Sequence, residues 1–324
     1  MCTAISFKNG DTYFGRTLDL EYHYNEEVVI TPRNYTFNFR HTESVKNHFA
    51  IIGVATVEDN YPLYYDAVNE KGLCAAGLNF PKSAVYSKFQ QGHQNVAVFE
   101  FIPFILSKFK SVSEVKEFLS TASITDSPFN EKFPTATLHW LISDREGSIT
   151  IESTEKGLNV YDNPIGVLTN EPEFPYQMLN LANYMNLTSS EPINNFSENV
   201  DIQAYSRGMG AVGLPGDNSS TSRFVRASFM KLNSRCGVSE SDNINQFFHI
   251  LGSVNQIKGS VRLKNGKDVY TVYTSCCNTD NMIFYYTTYD NSQITAVKMN
   301  NADIDSDNLI RYLMIDDTQI KSLN

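Results

Sequence analysis

The chain opens Met1-Cys2-Thr3, and a cysteine in second place can do chemistry that an internal cysteine cannot. Methionine aminopeptidase removes Met1 when a small residue follows, and Cys2 would then carry both a thiol and a free α-amine. The amine has a reference pKa of roughly 7.7 to 8.0 and can accept the proton of its own thiol, so one residue supplies nucleophile and base. Amide hydrolysis by such a residue needs no triad histidine. Many chains begin Met-Cys by chance, so the company that Cys2 keeps decides its meaning.

Two charged residues follow closely in Gly15-Arg16-Thr17-Leu18-Asp19. Brought beside Cys2, the Arg16 guanidinium would favour the thiolate and the Asp19 carboxylate would hold the α-amine. The alternative is an ordinary surface ion pair, worth little to stability.

The elements that must place these groups are readable. Residues 2–7 and 12–18 are strand-like and joined by Lys8-Asn9-Gly10-Asp11, in which Asn-Gly is a strong hairpin signal. Cys2 thus begins a strand, and the antiparallel partner returns Arg16 to Asp19 toward the N-terminus. Further strand-like runs cover 27–31, 49–57, 73–79, 136–143, 148–153, 269–275, 281–288 and 293–299. Helical patterns cover 96–108, 112–121, 175–185, 220–233 and 241–254, the fourth after the N-cap formers Asp217 to Ser220. Strands fall in hairpin-like groups with the helices clustered between them. That order points to an α+β layered fold of antiparallel sheets covered by helices, not to a doubly wound parallel sheet.

Bulk properties exclude several functions. The 324 residues are 41% hydrophobic, enough for a large core, and the absence of linker runs or repeats reads as one domain over 1–324. The formal charge of -10, with Lys and Arg scattered among acids, argues against nucleic acid and means that an anionic substrate needs a local cation. The first segment lacks the basic start and apolar core of a signal peptide, which implies a cytoplasmic protein. The longest apolar stretch, Val96 to Leu106, holds Glu100 and Pro103 and falls far short of the ~20 residues that span a bilayer, so no membrane partner is expected. The five cysteines include no CxxC pair and no His at ligand spacing, so no metal is expected. Cys74, Cys236, Cys276 and Cys277 read as free packing residues, a vicinal Cys276–Cys277 disulfide being the alternative. No Gly-rich phosphate loop opens a helix, so no nucleotide cofactor is expected.

Beyond these features the sequence resembles the choloylglycine hydrolases, which include bile salt hydrolases and penicillin V acylases. The likeness runs almost end to end: MCTAISF, FGRTLDLEY, NEKGLCAAGLNFP at 69–81, TLHWLISD at 137–144, GVLTNEP at 166–172, GLPGDNSSTSRF at 213–224 and YTSCCN at 273–278. It implies the αββα four-layer sandwich of N-terminal-nucleophile hydrolases and a set of roles. Cys2 matches the nucleophile, Arg16 and Asp19 the pair around it, and Arg223 a second arginine of the site. Asn79 and Asn170 match the oxyanion-hole asparagines, Asn170 through its side chain and Asn79 through its backbone N–H. Arg223 falls in the first turn of a helix, so its side chain and not the helix dipole must carry positive charge to the site, where it would also answer an anionic substrate.

The resemblance leaves two activities. One is hydrolysis of glycine- or taurine-conjugated bile salts through a Cys2 thioester; the other is removal of the acyl group of penicillin V or another N-acyl amide. Asn79 favours the first, because the acylases commonly carry Tyr at the matching position. Leu18, Tyr65, Phe129 and Phe133 map to walls of the steroid site, with plain core packing as the other reading of the two Phe. Glu58 and Tyr65 depart from relatives and would reshape the pocket, and Arg207 is a candidate contact for the glycine or taurine acid group. A catalytically silent steroid-binding protein is a third reading. The family also implies a homotetramer.

Overall fold

The structure, a computed structural model, describes residues 1–324. Strands β1 (Cys2–Asn9), β2 (Asp11–Leu20), β3 (Glu27–Thr31), β4 (Ile51–Glu58), β5 (Tyr61–Asn69), β6 (Cys74–Asn79) and β7 (Gln94–Ala97) precede helices α1 (Phe101–Lys108) and α2 (Val112–Leu119). Then come β8 (Ala122–Thr125), β9 (Leu138–Ser143), β10 (Ser148–Thr154), β11 (Gly157–Asp162) and β12 (Val167–Leu168), followed by α3 (Phe174–Asn180), α4 (Ser220–Asn233) and α5 (Glu240–Gly252). The chain ends through β13 (Tyr270–Asn278), β14 (Ile283–Thr288), β15 (Thr295–Lys298) and β16 (Ile310–Leu313).

The strands form two large antiparallel sheets, in the orders β12-β1-β2-β13-β14-β15 and β11-β10-β9-β6-β5-β4-β3-β16; β7 and β8 pair separately. Side chains that alternate along a strand face opposite sides of its sheet, and the buried residues follow that rule. On β6, Cys74, Ala76 and Leu78 join a cluster shared with β1, β2 and β13, whereas Ala75 joins Phe101, Ile105 and Val115 of α1 and α2. The first cluster also takes Phe224 of α4 and Phe247 and Leu251 of α5. The layers are therefore α1 and α2, the eight-stranded sheet, the six-stranded sheet, then α4 and α5, the αββα sandwich expected from the sequence.

The hairpin that returns the chain to Cys2 forms with Asn9 opposite Asp11, and Gly10 between them takes φ +71, a conformation that glycine adopts without strain. Pairing runs to Cys2 opposite Leu18, with Ala4 opposite Arg16. On its other edge β2 meets β13 so closely that a Cβ on Gly15 would lie 2.0 Å from the Ser275 carbonyl oxygen. The glycine before Arg16 thus has a packing reason. All five cysteines are free, so Cys276 and Cys277 form no vicinal disulfide.

Candidate active site

Cys2 is buried at the start of β1, and each neighbouring group arrives on a different element. Its main-chain nitrogen donates to Asn170 Oδ1 at 3.0 Å, and its carbonyl accepts from Arg223 Nη1 at 2.5 Å. Ser219 caps α4 by accepting from the Ser222 N–H, which fixes the first turn carrying Arg223. The Arg223 guanidinium also donates to Thr3 Oγ1 at 2.8 Å, Asn170 Oδ1 at 2.6 Å and the Asn218 carbonyl at 3.1 Å. Burial makes its proton easier to lose than usual, against the pull of Asp19 and Cys2. Four of the five N–H donors of Arg223 are thus spent inside the protein, and its side chain does not line the cavity.

Arg16 is fully buried. Nη1 donates to the carbonyls of Gly77 at 2.5 Å and Tyr65 at 3.1 Å, and Nε to that of Thr17 at 3.2 Å. Its Nη2 has no protein partner. Burial works against the charge, yet Cys2, Tyr273, Asp66 and Asp19 outweigh it, and the guanidinium holds its proton more tightly than usual. Behind it Asp66 accepts from Tyr273 at 2.5 Å and Ser275 at 2.7 Å, and burial raises its carboxyl above the usual range despite Arg16. Nothing in the sequence motifs singled out Asp66, Tyr273 or Ser275 for this role.

Asp19 lies beside the N-terminal segment. Its carboxylate accepts from Thr271 Oγ1 at 2.7 Å and Thr17 Oγ1 at 3.2 Å, and its main chain pairs with Met1, whose amine donates to the Asp19 carbonyl at 2.6 Å. With Met1 in place, the Cys2 nitrogen is an amide held by Asn170, not by the Asp19 carboxylate.

Asn170 follows the short strand β12 at the edge of one sheet, and Asn79 ends β6 in the other. Asn170 Nδ2 donates to the Asn79 carbonyl at 2.7 Å, while the Asn170 N–H donates to Ser220 Oγ at 2.8 Å. Phe80 N–H donates to the Thr137 carbonyl, so the adjoining pair Asn79–Leu138 is a non-hydrogen-bonded one and Asn79 N–H points away from β9. On that other side β5 stops pairing with β6 at Asp66–Ala76. The Asn79 N–H is therefore left without a ladder partner, and Asn79 lines open space.

That space is a cavity of about 380 Å³ lined mostly by apolar residues, with Cys2, Arg16 and Asn79 at one part of its wall. Leu18, Tyr65, Phe129 and Phe133 all line it, with Phe99, Ile102 and Trp140. Phe129 also packs on the core cluster under α1, so the pocket and packing readings hold together for it. Tyr65 OH lies 2.9 Å from Thr56 Oγ1, which donates to the Tyr24 carbonyl, leaving a polar spot on an apolar wall. Glu58 is off the wall but pairs at 2.9 Å with Lys132, which is on it. Arg207 is exposed on the loop before α4 and outside this cavity. No group of His, Cys, Asp and Glu is arranged to hold a metal ion, and no helix is long and apolar enough to cross a membrane.

Two antiparallel sheets between helix layers, with a cysteine at the first position of the central hairpin, define the N-terminal-nucleophile hydrolase fold. A penicillin V acylase from Agrobacterium tumefaciens shares that fold, with a TM-score of 0.73 at 18% identity, covering 96% of this chain and 90% of its own. The model of the linear amide C-N hydrolases, choloylglycine hydrolase family, matches residues 2–312, and the chain belongs to that family. It is 51% identical over 324 residues to a bile salt hydrolase/transferase of Lactiplantibacillus plantarum, covering 100% of both chains. The crystal structure of the C2A mutant of the conjugated bile acid hydrolase from Clostridium perfringens superposes with a TM-score of 0.92 at 39% identity, covering 100% of each chain.

Proposed function

We propose that this chain hydrolyses the amide bond of glycine- or taurine-conjugated bile salts with Cys2 as nucleophile. The observation that carries the reading is the position of Cys2 between a polar cluster and a mostly apolar cavity of about 380 Å³. A rigid apolar acid suits that wall, and the names of the full-length relatives support the substrate class.

In this reading Met1 is removed and the Cys2 amine takes the thiol proton. The thiolate adds to the amide carbonyl, and the oxyanion receives donors from Asn79 N–H and the second hydrogen of Asn170 Nδ2. Arg16 supplies positive charge beside the sulfur, with its free Nη2. The C–N bond breaks as the α-ammonium returns the proton to the leaving amine, giving glycine or taurine and a Cys2 thioester. The amine then takes a proton from water, which attacks the thioester and releases the bile acid. Arg223 and Asp19 hold the N-terminal segment, and Leu18, Tyr65, Phe129 and Phe133 bind the steroid body.

Side-by-side rates on glycocholate, taurocholate and penicillin V test the substrate class. The proposal requires both conjugates to turn over far faster than penicillin V; the reverse order makes the chain an acylase built on the same site. A cytoplasmic location fits five free thiols. We infer a homotetramer from the resemblance, and exposed Met185, Ile193, Phe196 and Tyr205 offer apolar surface for assembly; sedimentation measures it.

A further inference from the structure

His139 and Glu152 have no part in the thiol chemistry, yet both are fully buried and lie against the two segments that carry Asn79 and Asn170. The His139 ring stacks on Phe80, the residue after Asn79, with centroids 4.2 Å apart and planes at 8°. Its Nε2 lies 3.0 Å from the carbonyl oxygen of Thr169, the residue before Asn170. A carbonyl can only accept, so Nε2 carries a hydrogen. Nδ1 lies 3.0 Å from Glu152 Oε1, and one further proton must stand between them, since a bare ring nitrogen would repel a carboxylate.

Glu152 reaches further along the same loop. Its oxygens accept from the Phe174 N–H at 3.0 and 3.1 Å, at the start of α3. From that helix Gln177 Nε2 donates to the carbonyls of Asn170 and Glu171, each at 3.3 Å. His139 and Glu152 thus hold the loop 169–174 at both ends, while the stacked Phe80 ties it to β6. This arrangement backs the direct hydrogen bond, 2.7 Å long, from Asn170 Nδ2 to the Asn79 carbonyl.

We propose that His139 and Glu152 are a positioning pair that fixes Asn170 against Asn79 and thereby holds the oxyanion hole open at the right width. The inference rests on the reading of Asn79 and Asn170 as oxyanion donors. It predicts an effect on the chemical step, because the pair does not line the substrate cavity.

The test compares kcat and KM on glycocholate for Glu152→Gln, Glu152→Ala and Asn170→Ala in the full chain. In Glu152→Gln the amide donates to a neutral His139 Nδ1 while its oxygen still accepts from Phe174 N–H, so kcat stays within about twofold of the original. Glu152→Ala lowers kcat by ~10- to 100-fold with KM nearly unchanged, the scale that a misplacement of about 1 Å produces. If Glu152→Ala does not fold, the double variant His139→Phe with Glu152→Leu replaces the pair by apolar groups of similar volume, which a core tolerates better than one orphaned partner. An unchanged kcat in either folded variant overturns the proposal, as does a Glu152→Gln variant as slow as Glu152→Ala. Asn170→Ala separates the two layers: if it leaves kcat unchanged, the oxyanion reading itself falls, whereas a slow Asn170→Ala beside a fast Glu152→Ala removes the positioning pair alone.

Discussion

Asn170 donates its side-chain amide to the main-chain carbonyl of Asn79 across 2.7 Å, joining an edge of the six-stranded sheet to the end of β6 in the eight-stranded one. Its Oδ1 is filled by Cys2 N and Arg223 Nη2, so the amide cannot flip without setting two donors against two donors. One Nδ2 hydrogen is left for a ligand. Asn170→Ala should lower kcat by about 10² to 10³, the usual effect of losing one oxyanion donor, with little change in KM. Asn170→Asp should be equally slow, because a carboxylate oxygen would then face the Asn79 carbonyl. Steady-state kinetics on glycocholate read both, and a variant that raised KM at constant kcat would assign Asn170 to ground-state binding instead.

Met1 presents the second test. Its amine and carbonyl extend the β1–β2 ladder through Asp19, so the chain that keeps Met1 has an ordered strand end and a blocked Cys2 nitrogen. Intact mass of active enzyme should be lighter by one methionine residue. Cys2→Ala should remove turnover to at least about 10³ below the original, as loss of a nucleophile does elsewhere, while far-ultraviolet dichroism stays the same. Full activity in protein that retains Met1 would falsify the self-activated amine.

How much of this arrangement the sequence made legible depends on the kind of signal. Strand β3 and helix α4 match their expected ranges, because one is a short β-branched run and the other has cap residues and a single apolar stripe. Strand β5 went unseen. Tyr61-Pro62-Leu63-Tyr64-Tyr65-Asp66 lacks alternation and holds a proline and an acid. Yet Asp59 and Asn60, at φ 48 and 58, form the tight turn that pairs β4 with β5. The loss mattered for the site, since β5 carries Tyr65 and the Asp66 behind Arg16. Cys2, Arg16 and Asn170 were visible through motifs, whereas His139 and Glu152 are 13 residues apart on neighbouring strands and no local spacing joins them.

Arg223 should behave as a structural cation. Replacing it by Met strips donors from the Cys2 and Asn218 carbonyls, Thr3 and Asn170. A buried group left unpaired costs about 1 to 3 kcal/mol, so urea unfolding should show a loss of ~3 kcal/mol or more together with low kcat. An Arg223→Met protein with unchanged stability and raised KM alone would return Arg223 to substrate binding.

The apolar wall makes a different prediction. Phe133 lines the cavity beside Lys132 and Phe129 and takes no part in the hydrogen bonds around Cys2. Phe133→Ala removes uniform binding, so KM should rise while kcat holds. Full burial of a Phe side chain is worth ~1.5 to 3 kcal/mol, which sets the rise at about 10- to 100-fold. A fall in kcat at constant KM would place Phe133 in the catalytic geometry.

Near the turn end of the β1–β2 hairpin, Lys231 of α4 lies in a polar cleft with Lys8, Thr12, Asp144, Arg145, Glu146 and Asp162. It pairs with no carboxylate and donates only to the Ile165 carbonyl. Burial lowers its pKa from 10.5 to about 8, so between about pH 8 and the unfolded value the unfolded chain binds the extra proton. Stability must therefore rise with pH across that window, and the penalty of holding Lys231 charged is fully present below pH 8 and gone above about 10.4. Lys231→Met removes the penalty, which that displacement caps at ~3 kcal/mol, but leaves the Ile165 carbonyl without its donor. Relative to the original chain, the variant should gain more stability at pH 7 than at pH 10. Urea unfolding at the two values decides it: an equal difference at both would mean that Lys231 titrates alike in the folded and unfolded chain.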